Sequence, residues 1–391
     1  MGGFRELRGI VEGFYGRPYT VGHRRRMLEI VAGLPGSPTW LYAPKDDPFH
    51  RRRWREERPE ADRNALRTSA GDARELGVEW IQGISPWKFV DDDAPILRRR
   101  VEEALEDGAR IVAILFDDVE GPYTQELARR QNSLLRSAMS GMDAPVIVCP
   151  SVYCEELAAR DDGTDYLTAF DRQLSEEWAI LWTGPAVIPR RMELCASVAW
   201  RYGEGRLVLW DNLLADDYTL RRVYLGEPRD RIVPGTGYLL NPSSMEIPSL
   251  FSAWRLCTAL SPDSAPPLPD PVSGLQDGLT LLAEFHDVPW GVRPAVRRLL
   301  DELGEAMEQG ASFPAVAERA LGDLASFRDR LVEAPGGFEL LPYLNDITRL
   351  LTIWRMALNA SSPRDELERL MSERLPWDHP LALGTARRLS G

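Results

Sequence analysis

The chain has 391 residues and a mass of 44.1 kDa, room for an α/β barrel of roughly 250 residues and a further domain. Apolar residues make up 44% and charged residues 27%, the balance of a globular protein and not of a disordered one. Lys plus Arg is 47 and Asp plus Glu is 60, a formal charge of −13, which repels phosphate backbones and anionic lipid and argues against a nucleic-acid or membrane partner.

The N-terminal MGGFRELRGIVEGFYG has neither an apolar signal core nor a cleavage site, and no stretch reaches the roughly 20 apolar residues of a membrane span. Cys149, Cys154, Cys195 and Cys257 form no C-x-x-C pair and sit in apolar or strand-like surroundings, which reads as reduced thiols in a cytoplasmic protein. His23, His50, His286 and His379 lack ligand spacing, so neither a metal nor a cofactor is expected.

In chain order, eight short apolar runs alternate with loops and helical stretches. They are LRGIVEGF from Leu7, TWLYA from Thr39, VEWIQGI from Val78, RIVAILF from Arg110, PVIVC from Pro145, WAILW from Trp178, RLVLW from Arg206 and GYLLN from Gly237. A helix is expected over Pro95–Gly108, with Ile96, Val101 and Leu105 on one face. Such βα units predict a parallel sheet, and eight of them predict a closed (β/α)8 TIM barrel over 1–260. A doubly wound open sheet is the alternative, but its G-x-G-x-x-G turn is absent. The Pro-rich 261–271, SPDSAPPLPDP, reads as a linker. Beyond it, 272–391 reads as an α-helical bundle domain. Its last strong stripe runs through Leu340, Leu341, Leu344, Ile347, Leu350, Leu351, Trp354 and Leu358.

The active site of such a barrel lies where its strands end. Those ends carry Glu12-Gly13-Phe14-Tyr15, then Lys45-Asp46-Asp47, Ser85-Pro86-Trp87, Asp117-Asp118, Pro150-Ser151-Val152-Tyr153-Cys154, Trp182-Thr183-Gly184, Trp210-Asp211-Asn212 and Asn241-Pro242. Polar groups mixed with aromatic rings suit a sugar, which offers hydroxyls and apolar C–H faces. Adjacent carboxylates at an apolar barrel mouth repel each other, so at least one should hold its proton near neutral pH. From Asp-Asp alone, capping of the following helix is the commoner role. The Arg triplets 24–26, 51–53 and 98–100 read as solvated faces.

The ordered series EGFYGRP, YAPKDD, ISP, LFDD, CPSVYC, WTGP, WDN with DDY, and NP resembles glycoside hydrolase family 84, over roughly residues 8–245. The resemblance implies a retaining exo-β-N-acetylglucosaminidase that uses the substrate's own 2-acetamido oxygen as nucleophile and passes through an oxazoline. It implies that Asp117 polarises the acetamido N–H and that Asp118 is the general acid and base. It places Tyr153 at the acetamido oxygen, Cys149 and Trp210 around the N-acetyl methyl, and Asn212 in support of that arrangement. Gly13, Lys45, Asp217 and Asn241 would then hold sugar hydroxyls. The implied partner is a GlcNAc-bearing protein or glycan, and in relatives the helical region supports a homodimer. A hyaluronan-type polysaccharide substrate and a non-catalytic GlcNAc-binding protein are the alternative readings. Five departures concern the surroundings beyond the bound GlcNAc: Trp87 replaces a Gly, Val152 an acidic residue, Leu214 a His, Asp216 an Asn, and Ser243 a second Asn.

Overall fold

The computed structural model describes residues 3–374 except 120–121, 161, 196–197, 199–200, 203–204, 220–221, 229 and 264. Residues 375–391, the end of the expected helical domain, lie with His379 outside the described residues. Two compact units result. The first comprises Met1–Asp217, Pro228–Ser244 and Ala253–Pro266, and the second Tyr218–Glu227, Met245–Ser252 and Pro267–Gly391.

All eight apolar runs form strands: β1 (Leu7–Glu12), β2 (Ser37–Tyr42), β3 (Glu79–Ile84), β4 (Ile111–Leu115), β5 (Val146–Cys149), β6 (Ala179–Trp182), β7 (Leu207–Asp211) and β8 (Gly237–Leu240). Each pairs in parallel with the next, and β8 pairs with β1 to close the barrel. Closure leaves no unpaired edge, and both faces of each strand are covered, which is why the runs are apolar throughout and do not alternate with polar residues. Side chains still alternate in direction. Every second one enters the interior, where Leu7, Val11, Leu41, Ala43, Ile81, Ile111, Ala113, Leu115, Ile147, Cys149, Val208, Trp210 and Leu239 share one buried cluster.

The expected helix over Pro95–Gly108 is observed as Ala94–Glu106, with Leu97, Arg100, Val101 and Ala104 buried. The Arg triplets are corrected: one arginine of each is buried, namely Arg24, Arg51 and Arg100. Each inward guanidinium meets a polar partner. Arg24 is the deepest case. Its Nε and Nη2 donate to the fully buried Glu12 carboxylate at 2.7 and 3.0 Å, and the Tyr19 N–H donates to the same group at 2.9 Å.

In the second unit, helices span Gln276–Phe285, Pro294–Gln309, Ala315–Glu333, Leu341–Leu358 and Pro363–Arg374. Of the expected stripe, Leu340, Leu344, Ile347, Leu350, Leu351 and Trp354 are buried. This helix packs against its neighbours 315–333 and 363–374, so partners within the unit take up the stripe. Gly278 permits close helix approach: a Cβ there would stand 1.9 Å from the Phe327 ring. Among the described residues no helix is long and apolar enough to cross a membrane.

The Glu12–Arg24 pair yields a stability test. Arg24→Ala strands a buried carboxylate and is expected to cost about 3–5 kcal/mol, whereas the double change Glu12→Gln with Arg24→Met recovers most of it. Denaturant midpoints of the three proteins decide the point; an Arg24→Ala loss under 1 kcal/mol would contradict it.

Candidate active site

The inward phase of β1, β2, β4, β7 and β8 continues one to three residues past the strand's C-terminal end. Gly13 follows Val11 in phase, Lys45 follows Ala43, Asp117 follows Leu115, Asn212 follows Trp210, and Asn241 follows Leu239. Cys149 and Trp210 are themselves the last inward residues of β5 and β7. One mouth therefore gathers side chains from five strands, all within the first unit.

Gly13, Asn241, Asn212 and Trp210 form a hydrogen-bonded chain across the end of β1, β8 and β7. The Gly13 N–H donates to Asn241 Oδ1 at 3.2 Å, Asn241 Nδ2 to Asn212 Oδ1 at 3.0 Å, and Trp210 Nε1 to the same oxygen at 2.7 Å. Asn212 Nδ2 donates to the Val187 carbonyl at 3.0 Å. Gly13 has a steric reason: a Cβ would lie 2.1 Å from the Trp210 ring. Asp211, beside Asn212, is buried beneath the Arg231 guanidinium at 2.6 and 2.7 Å and accepts from the Tyr238 hydroxyl at 2.7 Å. The expected link from Asn212 to the carboxylates is thus indirect, through the Trp210 ring that Lys45 Nζ overlies at 5.3 Å.

Lys45 Nζ donates to Asp117 Oδ2 and lies 3.7 Å from Asp118 Oδ2. Burial alone would lower the Lys45 ammonium, but Asp117 and Asp118 outweigh it and hold it above its ordinary value. Asp117 is itself buried, and its Oδ1 accepts no hydrogen bond from the described residues. Cys149 lies buried at the same depth, its thiol pushed up by burial and by Asp117.

Asp118 is 29% exposed at its side chain and is gripped from three loops. The Tyr15 hydroxyl donates to Oδ2 at 2.8 Å and the Tyr153 hydroxyl to Oδ1 at 3.2 Å. Arg51 Nη1 donates to the Tyr15 hydroxyl at 2.8 Å, and its Nη2 to the Asp118 carbonyl at 2.9 Å. The Tyr15 N–H reaches Asp217 Oδ2 at 2.6 Å, which joins Asp217 to the cluster. Helix capping is not the role of the pair. The next helix, Gln125–Met139, is capped by Thr124, whose hydroxyl accepts from the Leu127 N–H at 3.0 Å.

The carboxyls are split as their proximity requires, with a definite order. Burial pushes Asp117 up and Asp118 adds to the rise, against Lys45. Burial also acts upward on Asp118, but Lys45, the Tyr15 hydroxyl, Arg51 and Tyr153 together hold it below the usual carboxylate range. Of the two, Asp117 is thus raised and Asp118 lowered from the ordinary carboxylate value. The general-acid role expected for Asp118 requires the reverse order.

Tyr15 and Arg51 belong to this cluster although sequence reasoning gave neither a role. Tyr15 stands in the EGFYG motif. Arg51 was grouped with a charge run, yet it lies six residues after Lys45 in the β2 loop. Among the described residues no group of three or more His, Cys, Asp or Glu is placed to hold a metal ion.

Asp216 and Ser243, two of the departures noted above, hydrogen-bond each other: Ser243 Oγ donates to Asp216 Oδ2 at 2.5 Å, and the Ser244 N–H to Oδ1 at 3.3 Å. Burial pushes the Asp216 carboxyl up to about 6 from 3.8. The folded chain then holds this proton more tightly than the unfolded chain. Stability from this group is full below about pH 4 and is lost as pH rises through 6. Asp216→Asn is expected to remove a loss on the order of 2 kcal/mol at pH 7.5, with the gain shrinking toward pH 4.5. Thermal unfolding of both proteins across that range tests it, and a gain independent of pH would refute it.

Residues 8–254 match the model of the beta-N-acetylglucosaminidase family. The protein O-GlcNAcases of Mus musculus and Rattus norvegicus are each 31% identical over 262 residues, a match covering 62% of this chain and 28% of the relative. The chain thus spans well under a third of the length of these relatives. An O-GlcNAc hydrolase mutant from Thermobaculum terrenum shares the fold with a TM-score of 0.75 at 20% identity, over 99% of this chain and 94% of that one. With a family match across the whole barrel and its motifs converging on one mouth, the chain belongs to the β-N-acetylglucosaminidases of glycoside hydrolase family 84.

Proposed function

We propose that the chain is a retaining exo-β-N-acetylglucosaminidase that removes terminal GlcNAc, with Ser/Thr-linked GlcNAc of proteins as substrate class. The observation that carries this is Asp117 Oδ1, a buried carboxylate oxygen without a donor, set beside a second carboxyl that two tyrosines hold in the same mouth. A buried acceptor without a partner is costly, and an amide N–H of a bound sugar is the group that would satisfy it.

On this reading the acetamido N–H donates to Asp117 Oδ1 and favours its ionised form. The acetamido carbonyl oxygen attacks the anomeric carbon as the glycosidic bond breaks. The bonding pair goes to the leaving oxygen, which takes the Asp118 proton. Water then adds to the oxazoline carbon that was anomeric, gives a proton to Asp118 and restores the acetamide. Both glycosyl transfers occur on opposite faces in turn, so configuration is retained. Asp118 must be protonated at the start. Burial beneath the leaving group, away from bulk water, supplies that upward push. Lys45, Asp217, Gly13 and Asn241 would hold hydroxyls, Cys149 and Trp210 the acetamido methyl, and Tyr153 the acetamido oxygen once its hydroxyl leaves Asp118. Free Cys149, Cys154, Cys195 and Cys257 fit the reducing cytoplasm as the working compartment.

The two aspartates are separable by leaving group. Asp118→Asn is expected to slow a glycoside with an alkyl leaving group by about 10²–10⁴-fold and an activated aryl glycoside far less. Asp117→Asn should slow both alike, because it acts on the nucleophile. Steady-state kcat/KM for both substrates, with the anomer of the first product followed by NMR, measures this. Equal small effects, or an inverted product, would remove the assignment.

A further inference from the structure

A cavity lined by the acid pair opens on the side of β3 and β4. It has a volume of about 310 Å3, and its lining includes Asp118, Arg51, Trp87, Lys88, Phe89 and Arg130. The cleft lies between the β3 loop and the helix after β4, and Asp117 and Asp118 both line it. The oxygen that Asp118 would protonate is the one atom shared by the sugar and its leaving group. The group attached to that oxygen therefore needs room beside Asp118, and the cleft provides it.

The walls of the cleft are built. Trp54 Nε1 donates to the Trp87 carbonyl at 3.0 Å, and Arg55 Nη2 to the Lys88 carbonyl at 2.7 Å. Phe89 packs edge-on against Phe116 with ring centres 5.8 Å apart. Fixed walls bind without first being ordered. Trp87 stands where the family resemblance has glycine, and its ring supplies the wall here.

The chemistry of the rim is cationic and aromatic. Lys88 Nζ lies 4.2 Å from the Trp87 ring centre, the Arg51 guanidinium 5.8 Å from the same ring, and the Arg130 guanidinium 5.4 Å from that of Phe89. Arg130 pairs with Asp91 at 2.7 Å and Arg51 is committed to Tyr15 and Asp118. Lys88 is exposed and leads the local charge. Asp117 and Asp118 line the same cleft and stand against Arg51, and Arg130 is answered by Asp91, so Lys88 is the cation of the rim that no carboxylate among the described residues pairs. A neutral sugar as leaving group gains little from such a charge, and a carboxylate-bearing peptide gains most.

We propose that this cleft is a leaving-group subsite that selects GlcNAc-bearing polypeptides with acidic residues next to the modified Ser or Thr, Lys88 supplying the charge and Trp87 the stacking wall. The inference rests on the hydrolase reading and names its substrate class more closely.

The test uses the full chain and GlcNAc-Ser peptides of one length, flanked by Glu, Ala or Lys, together with a β-GlcNAc disaccharide and an aryl β-GlcNAc. We expect kcat/KM for the Glu-flanked peptide to exceed that for the Lys-flanked one about tenfold, less at high salt. Lys88→Glu should abolish or invert that ratio. Trp87→Gly should lower the ratio of peptide to aryl-glycoside turnover. Each ratio is internal to one protein, so a loss of folded enzyme cancels. Flanking charge that changes kcat/KM less than twofold, or a ratio unmoved by Lys88→Glu, would overturn the subsite while leaving the hydrolase intact. A disaccharide preferred to every peptide, and sensitive to Trp87→Gly, would overturn the polypeptide assignment. Failure of the unaltered chain to cleave even the aryl glycoside would defeat both.

Discussion

Adjacent residues of an extended strand point to opposite sides, so two neighbouring carboxylates enter one cavity only where the backbone between them leaves the strand. Asp117 keeps the inward phase of Ile111, Ala113 and Leu115. Asp118, one residue on, would face the surrounding helices. It instead takes φ 54, in the left-handed region that aspartate visits more readily than most side chains, and turns back over the mouth. That conformation is held by Arg51 on its carbonyl and by the two tyrosine hydroxyls on its carboxylate. The local backbone cost is met by contacts from the loops after β1, β2 and β5, and so the acid pair exists only when the whole barrel is closed.

A mouth with this much buried charge depends on balance. Asp117 and Asp118 face Lys45 and Arg51, so their repulsion is offset within ion-pairing reach. Around that centre lie further buried pairs that hold the loops: Glu12 with Arg24, Asp47 with Arg58 at 2.7 Å, and Asp211 with Arg231. Each carboxylate of the outer pairs also takes a backbone N–H, from Tyr19, Phe49 and Leu213 in turn. Such pairs add little net stability, since desolvation consumes most of their attraction. Their value lies in geometry, because a doubly bonded carboxylate fixes the turn that carries Gly13, Lys45 or Asn212.

The barrel is legible in the sequence through its eight apolar runs, and Gly13, Lys45, Asp117, Asn212 and Asn241 through the order of the family-84 motifs; the structure adds that they share the inward strand phase. Tyr15 and Arg51 stand on loops, where neither motif order nor periodicity assigned them a role. Arg51 was further hidden among neighbours: Arg52 and Arg53 are exposed, and a run of three charges gives no sign of which one turns inward. The left-handed Asp118 has no sequence signature either. Composition around it, apolar before and polar after, suits a helix cap equally well, and only Thr124 taking that cap separates the two.

The resting order of the two carboxyls follows from the same architecture. Asp118 is served by donors from the loops at the rim, and Asp117 by one lysine in the floor. A ligand carrying its own amide donor toward Asp117 Oδ1 would move that group down, because it adds a hydrogen bond to the ionised form where none exists. A ligand that covers the rim would separate Tyr15 or Tyr153 from Asp118 and remove water from it, and both changes move it up. The floor and the rim thus respond to one molecule in opposite senses. On the proposed reading, the two carboxyls would exchange proton preference because of where their donors sit.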